Sequence, residues 1–299
     1  VNDKYYINFA DCSPVAGRAG VREYLFGKAC GLNNLSKFAA LDYKRNPDKF
    51  QPEENNLYYR LQEVFTRRDI LSVDTDTPIF HPPVFYSSVG LWIARNDSYT
   101  AAAKCGDNND SHNHNDTGSI TLYKNGSPLL VDIGVESYTK KTFSAQRYEI
   151  WTMQSDYHNL PTINGSMQMN GAEYHATEVS HSFTEDGGKI SMDIAKAYPS
   201  DAHIEKYTRS VVLSDFGLEI TDTWSFDDSE NHSVILNFIT YDKPVRSTDA
   251  PDTLLIGELA SLSLPSGYLS GNVQIEELAI TDPRLMQCWK HSLYRIRVS

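Results

Sequence analysis

Cysteine is scarce in this chain and sits in no motif. Cys12, Cys30, Cys105 and Cys288 are far apart and form no C-x-x-C, which argues against a cysteine-rich zinc site or a dithiol redox motif and leaves the redox compartment open. No run approaches the roughly 18 apolar residues that a membrane-spanning helix needs, so a membrane partner is not expected. Positive charge is in deficit: 27 Lys and Arg against 39 Asp and Glu give a net charge of −12. That balance argues against nucleic acid as a partner, since neutralising phosphates takes a basic face, although a single site can still be locally basic. The opening VNDKYYINFADCSP has no initiator Met, no basic stretch and no apolar stretch, so no signal peptide is expected within it. Val1 reads as the start of a processed chain or of a piece of a longer protein. No internal repeat or low-complexity tract is present.

What is there suffices for a sizeable core: 299 residues, 40% apolar and 22% charged, enough for two domains or one large β-domain. Residues 1 to about 78 read as helical. Val21, Tyr24, Leu25 and Ala29 recur near helical spacing before a stop at Gly31, and Asn34 offers a cap ahead of Leu35, Phe38 and Ala39. A third helix begins near Pro52, Glu53 and Glu54, sets Leu57, Leu61, Val64 and Phe65 on one face, and ends near Arg67 and Arg68. Three such helices form either a small bundle or the last helices of a larger helical domain upstream.

From about residue 79 the hydrophobic period changes to two. SITLYKNGSPLLVDIG is a hairpin with Asn125-Gly126 as its turn, and LPTINGSMQM repeats the device at Asn164-Gly165. KISMDIAKAY, YTRSVVLS, LEITDTWSF, HSVILNFITY, DTLLIGEL and SLYRIRVS add strands. The expected fold class is α+β: an all-α segment over 1–78, then a large antiparallel β-sandwich over 79–299.

The chemistry concentrates in SHNHNDTG, residues 111–118. If this stretch is a strand, His112, His114 and Asp116 share one face. The hairpin brings Asp132 back toward the same sheet, and DYHNLP supplies His158. A His-Asp-His set with an open position suits tetrahedral zinc, whereas the bland reading is a pair of hydrogen-bonded histidines. A cupin would need a Glu just after H-x-H, and Thr117 to Ser119 supply none. An iron(II) oxygenase triad fits His114, Asp116 and His158, but no Arg follows His158 before Arg209 to hold an oxoacid.

HNHNDTGSITLYKNGSPLLVDIG, then SYTKKTFSAQRYEIW, then HNLPTINGSMQ resemble in order the C-terminal domain of the heparinase II/III-like polysaccharide lyases. Their pattern is H-x-H-x-D, an N-G turn, an L-V-D-x-G strand, a Tyr/Arg-bearing stretch and H-N-x-x-x-I-(D/N)-G. YYINFADCSP resembles the end of that family's helical toroid. The resemblance implies a structural zinc held by His114, Asp132 and His158, with His112 facing the substrate cleft. It implies Tyr148 as an acid or base, Arg147 near an anionic sugar, and Asp116 supporting a histidine. Lys140 and Lys141 complete the basic cluster beside it, while His175 and His181 carry no assigned role. A periplasmic or secreted location is implied, and a homodimer is compatible with it.

The implied reaction is β-elimination from a uronic-acid polysaccharide. The uronate carboxylate is neutralised, a base takes the C5 proton, and an acid protonates the leaving O4. Tyrosine starts near pKa ~10 and needs a cationic neighbour to act as base. The family places further catalytic groups in its toroid, most of which is absent here, so these 299 residues alone are expected to be weakly active or inactive. The rival reading is a zinc-stabilised sandwich that binds carbohydrate without catalysis.

Overall fold

A computed structural model describes residues 1–299 except Asp3, Ala16, Arg18, 46–55, Tyr268, Ser270, Gly271 and Lys290. The chain divides into two compact units, Ala16–Pro82 and Val1–Val15 with Pro83–Ser299. Residues 1–15, expected with the helices, therefore belong with the strands, and the described ones among them form no helix.

The smaller unit holds three helices, Val21–Cys30, Asn33–Arg45 and Leu57–Ser72. Gly31 ends the first in the left-handed conformation at φ 70°, which glycine adopts without strain. The expected third-helix start at Pro52, Glu53 and Glu54 lies outside the described residues. Within them, Asn56 caps this helix by accepting from the Tyr58 amide at 2.9 Å. Asn34, expected as a cap, sits inside the second helix. The unit's core is Tyr24, Ala39, Ala40, Tyr43 and Ile70. The third helix buries Glu63, Thr66 and Ile70, while the expected apolar face of Leu57, Leu61, Val64 and Phe65 is exposed. Helical periodicity locates a stripe but does not say what covers it.

The larger unit is an antiparallel sandwich. A nine-stranded sheet runs Val84–Tyr86, Leu91–Arg95, Tyr99–Lys104, Ile120–Lys124, Ser127–Leu130, Val234–Thr240, Leu293–Val298 and Val273–Leu278, with Pro161–Ile163 pairing alongside Val234–Thr240. The second sheet runs Gly217–Phe226, Ile204–Ser214, Gly187–Asp193 and Thr177–Thr184. Both expected N-G turns form, with Asn125, Gly126, Asn164 and Gly165 all at positive φ.

Trp92, Ile120 and Phe238 of the first sheet meet Ile190, Met192, Tyr207 and Val211 of the second in the main core. The other face of the nine-stranded sheet is also buried. Tyr123, Val131, Ile133 and Ile239 pack there with Trp289 and with Tyr5 from the N-terminal segment. This second layer carries residues 1–15 to the loops at the end of the Ile120–Lys124 and Ser127–Leu130 hairpin, where the histidines lie.

Candidate functional site

Residues 111–118 are not a strand: the segment turns, and His112 has φ 61°. The shared face expected for His112, His114 and Asp116 therefore does not arise. Asparagine chemistry holds the loop instead. Asn108 Oδ1 accepts from the Asp116 and Thr117 amides, each at 3.3 Å, and from Thr117 Oγ1 at 2.8 Å. Asn113 Nδ2 donates to the Asn108 carbonyl at 2.8 Å, and Asn115 Nδ2 to that of Gln168 at 3.0 Å. Side-chain amides thereby satisfy backbone groups that a buried loop would leave unpaired.

This loop sends His114 inward. His114, Asp132 and His158 are fully buried, and one potential ligand atom from each lies within 4.8 Å of the others. Asp132 follows the strand Ser127–Leu130, and His158 follows a run of single-turn 3-10 helices spanning 141–157. Asp132 Oδ2 faces His158 Nδ1 at 2.9 Å, and Oδ1 accepts from the Gly134 amide at 2.9 Å and from Asn8 Nδ2 at 3.4 Å. His114 Nε2 faces Asp11 Oδ1 at 3.0 Å. The second nitrogen of each ring, His114 Nδ1 and His158 Nε2, is buried without a hydrogen-bond partner. Leaving such groups unmade costs about 1–3 kcal/mol each. Two imidazole nitrogens left over beside a carboxylate are the donor set a zinc ion takes, so these residues fit the metal.

The electrostatics follow from burial and partners. Burial lowers the His114 pKa, with the neighbouring His158 acting in the same direction against the Asp11 bond. Burial also works against a charged His158, but Asp132 overcomes it and raises the pKa. A metal competes with that proton for the same ring.

Asp116, expected to support a histidine, instead pairs with Lys104 at 2.7 Å, both side chains buried. The group that gathers around His114 and His158 includes Asp132, not Asp116, so the oxygenase triad is not assembled. The carboxylate that supports histidines from outside the group is Asp11. Its Oδ2 contacts His112 Nδ1 and Tyr138 Oη, each at 2.9 Å, and its Oδ1 also receives Arg147 Nη2 at 2.7 Å. Burial alone would raise the Asp11 pKa, yet the hydrogen bonds from His114, His112 and Arg147 hold the carboxyl far below the usual carboxylate range.

His112 is the outward-facing member, its side chain 52% exposed and its ring stacked against Tyr138 with centroids 6.1 Å apart. Tyr148 is partly exposed, and its hydroxyl accepts from Asn113 Nδ2 at 3.3 Å. Arg147, expected near the sugar, turns inward. Besides Asp11 it donates to the carbonyls of Asn113 and Thr142, and its side chain is only 12% exposed. The Arg284 guanidinium lies over the Tyr138 ring at 4.7 Å and donates to the Asp11 carbonyl at 3.1 Å. Lys141 is paired with Glu149 at 3.0 Å. Asp11, Tyr138 and Arg284 were not singled out from the sequence, although Asp11 lies in the YYINFADCSP stretch and Tyr138 in the SYTKKTF stretch that carried the resemblance.

The sequence profile of the heparinase II/III-like C-terminal domain matches residues 80–260. The chain belongs to the heparinase II/III-like family. Among solved structures, heparinase III with methylated lysines aligns at a TM-score of 0.62 and 15% identity, covering 99% of this chain and 41% of that one. The heparan sulfate lyase HepC from Pedobacter heparinus aligns at 0.59 and 13%, again covering 99% and 41%. These likenesses establish the fold, and the chain spans about two fifths of the length of these structures. No curated protein matches the chain.

Proposed function

We propose that this chain is the β-sandwich part of a polysaccharide lyase that cleaves an acidic, uronate-containing polysaccharide by β-elimination. The observation that carries it is the buried His114, Asp132 and His158 group lying directly behind an exposed His112. Zinc, when bound, would supply structural rigidity, joining the 111–118 loop, the Asp132 segment and the His158 segment. In this reading the exposed His112 exchanges a proton with substrate, and Tyr148 presents a phenol from the neighbouring turn, its oxygen accepting from Asn113. Tyr138 stacks on His112 and carries the Arg284 guanidinium over its ring, which brings a cation to this side of the site for an anionic sugar. Arg147 contributes by holding Asp11.

Heparan sulfate is the first substrate to try, because HepC is named as a lyase of it. A substrate of this kind also favours a location outside the cytoplasm. The full protein containing this chain is to be incubated with heparan sulfate, alginate, hyaluronan and pectin while the far-ultraviolet absorbance of the unsaturated uronide is followed. Absorbance growth with one of them supports the reading. Intact sugar binding with no absorbance from any would replace it with the non-catalytic zinc-stabilised sandwich.

A further inference from the structure

The Asp11 carboxylate receives four side-chain groups, and their division between its two oxygens fixes the chemistry of two histidines. An ionised carboxylate has no hydrogen to give, so an imidazole nitrogen within bonding distance must carry one. Oδ2 faces His112 Nδ1 at 2.9 Å. The hydrogen of that ring therefore sits on Nδ1, and the neutral ring's lone pair is on Nε2. Oδ1 faces His114 Nε2 at 3.0 Å. There the hydrogen sits on Nε2, and the lone pair is on Nδ1, the buried nitrogen with no hydrogen-bond partner. Tyr138 is 3.3 Å from His112 Nδ1, but its single hydroxyl hydrogen is taken by Asp11 at 2.9 Å. The tyrosine oxygen can then only accept.

We propose that Asp11 is the positioning residue of the site: one carboxylate holds His112 and His114 in opposite tautomers, directing His112 Nε2 to substrate and His114 Nδ1 to the metal position. What His112 does with substrate rests on the lyase reading, whereas the tautomers follow from the contacts alone. Three further bonds keep the carboxylate in place: Arg147 Nη2 to Oδ1 at 2.7 Å, Tyr138 to Oδ2, and Arg284 Nη2 to the Asp11 carbonyl at 3.1 Å.

The geometry also decides what an amide would do at this position. In Asp11→Asn the oxygen is held where two obligate donors, Arg147 and His114, converge. The NH2 group then faces His112 Nδ1 and Tyr138 Oη, both of which can accept. His114 keeps its tautomer and the metal position is unchanged. His112 is forced to carry its hydrogen on Nε2, where it can no longer take a proton from substrate.

The test uses the full zinc-loaded protein containing this chain, with 15N-labelled histidines, at a pH of about 8.5, two units above the ordinary imidazole value of about 6.5. Two-bond 1H–15N spectra identify the protonated nitrogen, and His112 is assigned by the signal lost in His112→Gln. The wild type is expected to show His112 with Nδ1 protonated, and Asp11→Asn to show the reverse at unchanged zinc content. Its kcat for elimination should fall on the order of 10^2- to 10^4-fold, with KM within about threefold. A wild-type His112 protonated on Nε2, or averaging between tautomers as a free ring does, overturns the proposal. So does an Asp11→Asn protein with wild-type kcat. If Asp11→Asn fails to fold, the wild-type spectrum decides alone. If the full wild-type protein cleaves no uronate, the lyase reading falls while the same spectrum still decides the tautomers.

Discussion

Arg209 and Asp222 meet as a two-pronged pair, Nε to Oδ1 at 2.9 Å and Nη2 to Oδ2 at 2.7 Å, with both side chains buried. The remaining arm of the guanidinium, Nη1, donates to the carbonyls of Gly118 at 3.1 Å and Asn159 at 2.6 Å. Those carbonyls close the His114 loop and follow His158, so one side chain of the four-stranded sheet holds both histidine-bearing segments.

Removing one member of such a pair strands a buried charge. Arg209→Met is expected to lower unfolding stability by about 3–5 kcal/mol, and Arg209→Met combined with Asp222→Leu to recover a large part of it. Urea denaturation checks this. An equal loss in the single and double variants would assign the stabilisation to the two carbonyl bonds instead.

Metal removal should unfasten three segments at once. Chelation is expected to lower the melting temperature, and His114→Ala or His158→Ala to lose zinc and stability together. Elemental analysis beside a thermal melt reads both quantities. A His114→Ala protein unchanged in each would remove the zinc assignment.

His112→Ala and Tyr148→Phe should behave in the opposite way. Neither side chain belongs to the buried group, so both variants are expected to keep zinc and melt as the wild type does, while elimination falls at least tenfold. Loss of metal in either would move that residue from the cleft to the scaffold.

The cysteines should separate by burial. Cys30 is exposed, whereas burial pushes the Cys105 thiol up to about 12. Alkylation of the native protein near pH 8 is expected to label Cys30 and spare Cys105 until denaturant is added, as peptide mass spectrometry would show. The raised pKa means the fold favours the neutral thiol. Its contribution to stability is therefore complete below the unfolded value of about 8.5 and is lost as pH rises toward about 12. Cys105→Ser should flatten that alkaline loss.

The sandwich was legible because strand alternation and N-G turns are local signals. His114, Asp132 and His158 were legible through a family pattern, which carries long-range pairing that periodicity lacks. The 111–118 loop misread as a strand because H-x-H-x-D has period two whether or not the backbone is extended. Its Ser, Asn, Asp and Gly content was the competing evidence for turns. Asp116 was given a histidine because nothing local shows that Lys104 is buried beside it. Asp11 was out of reach for the same reason, since its contact with His112 spans 101 positions of chain. The exposed stripe of the third helix marks the converse limit: the pattern is written locally, but its cover is not.

The N-terminal segment has a practical bearing on where this molecule can be divided. A chain cut to begin at residue 80, where the family match starts, would keep every strand of the sandwich, His112 and the buried histidine group. It would lose Asn8 and Asp11, and with them bonds to Asp132, His112, His114 and Arg147. Such a truncated sandwich would be a site missing its alignment, so the smallest portable unit of this chemistry is discontinuous in sequence.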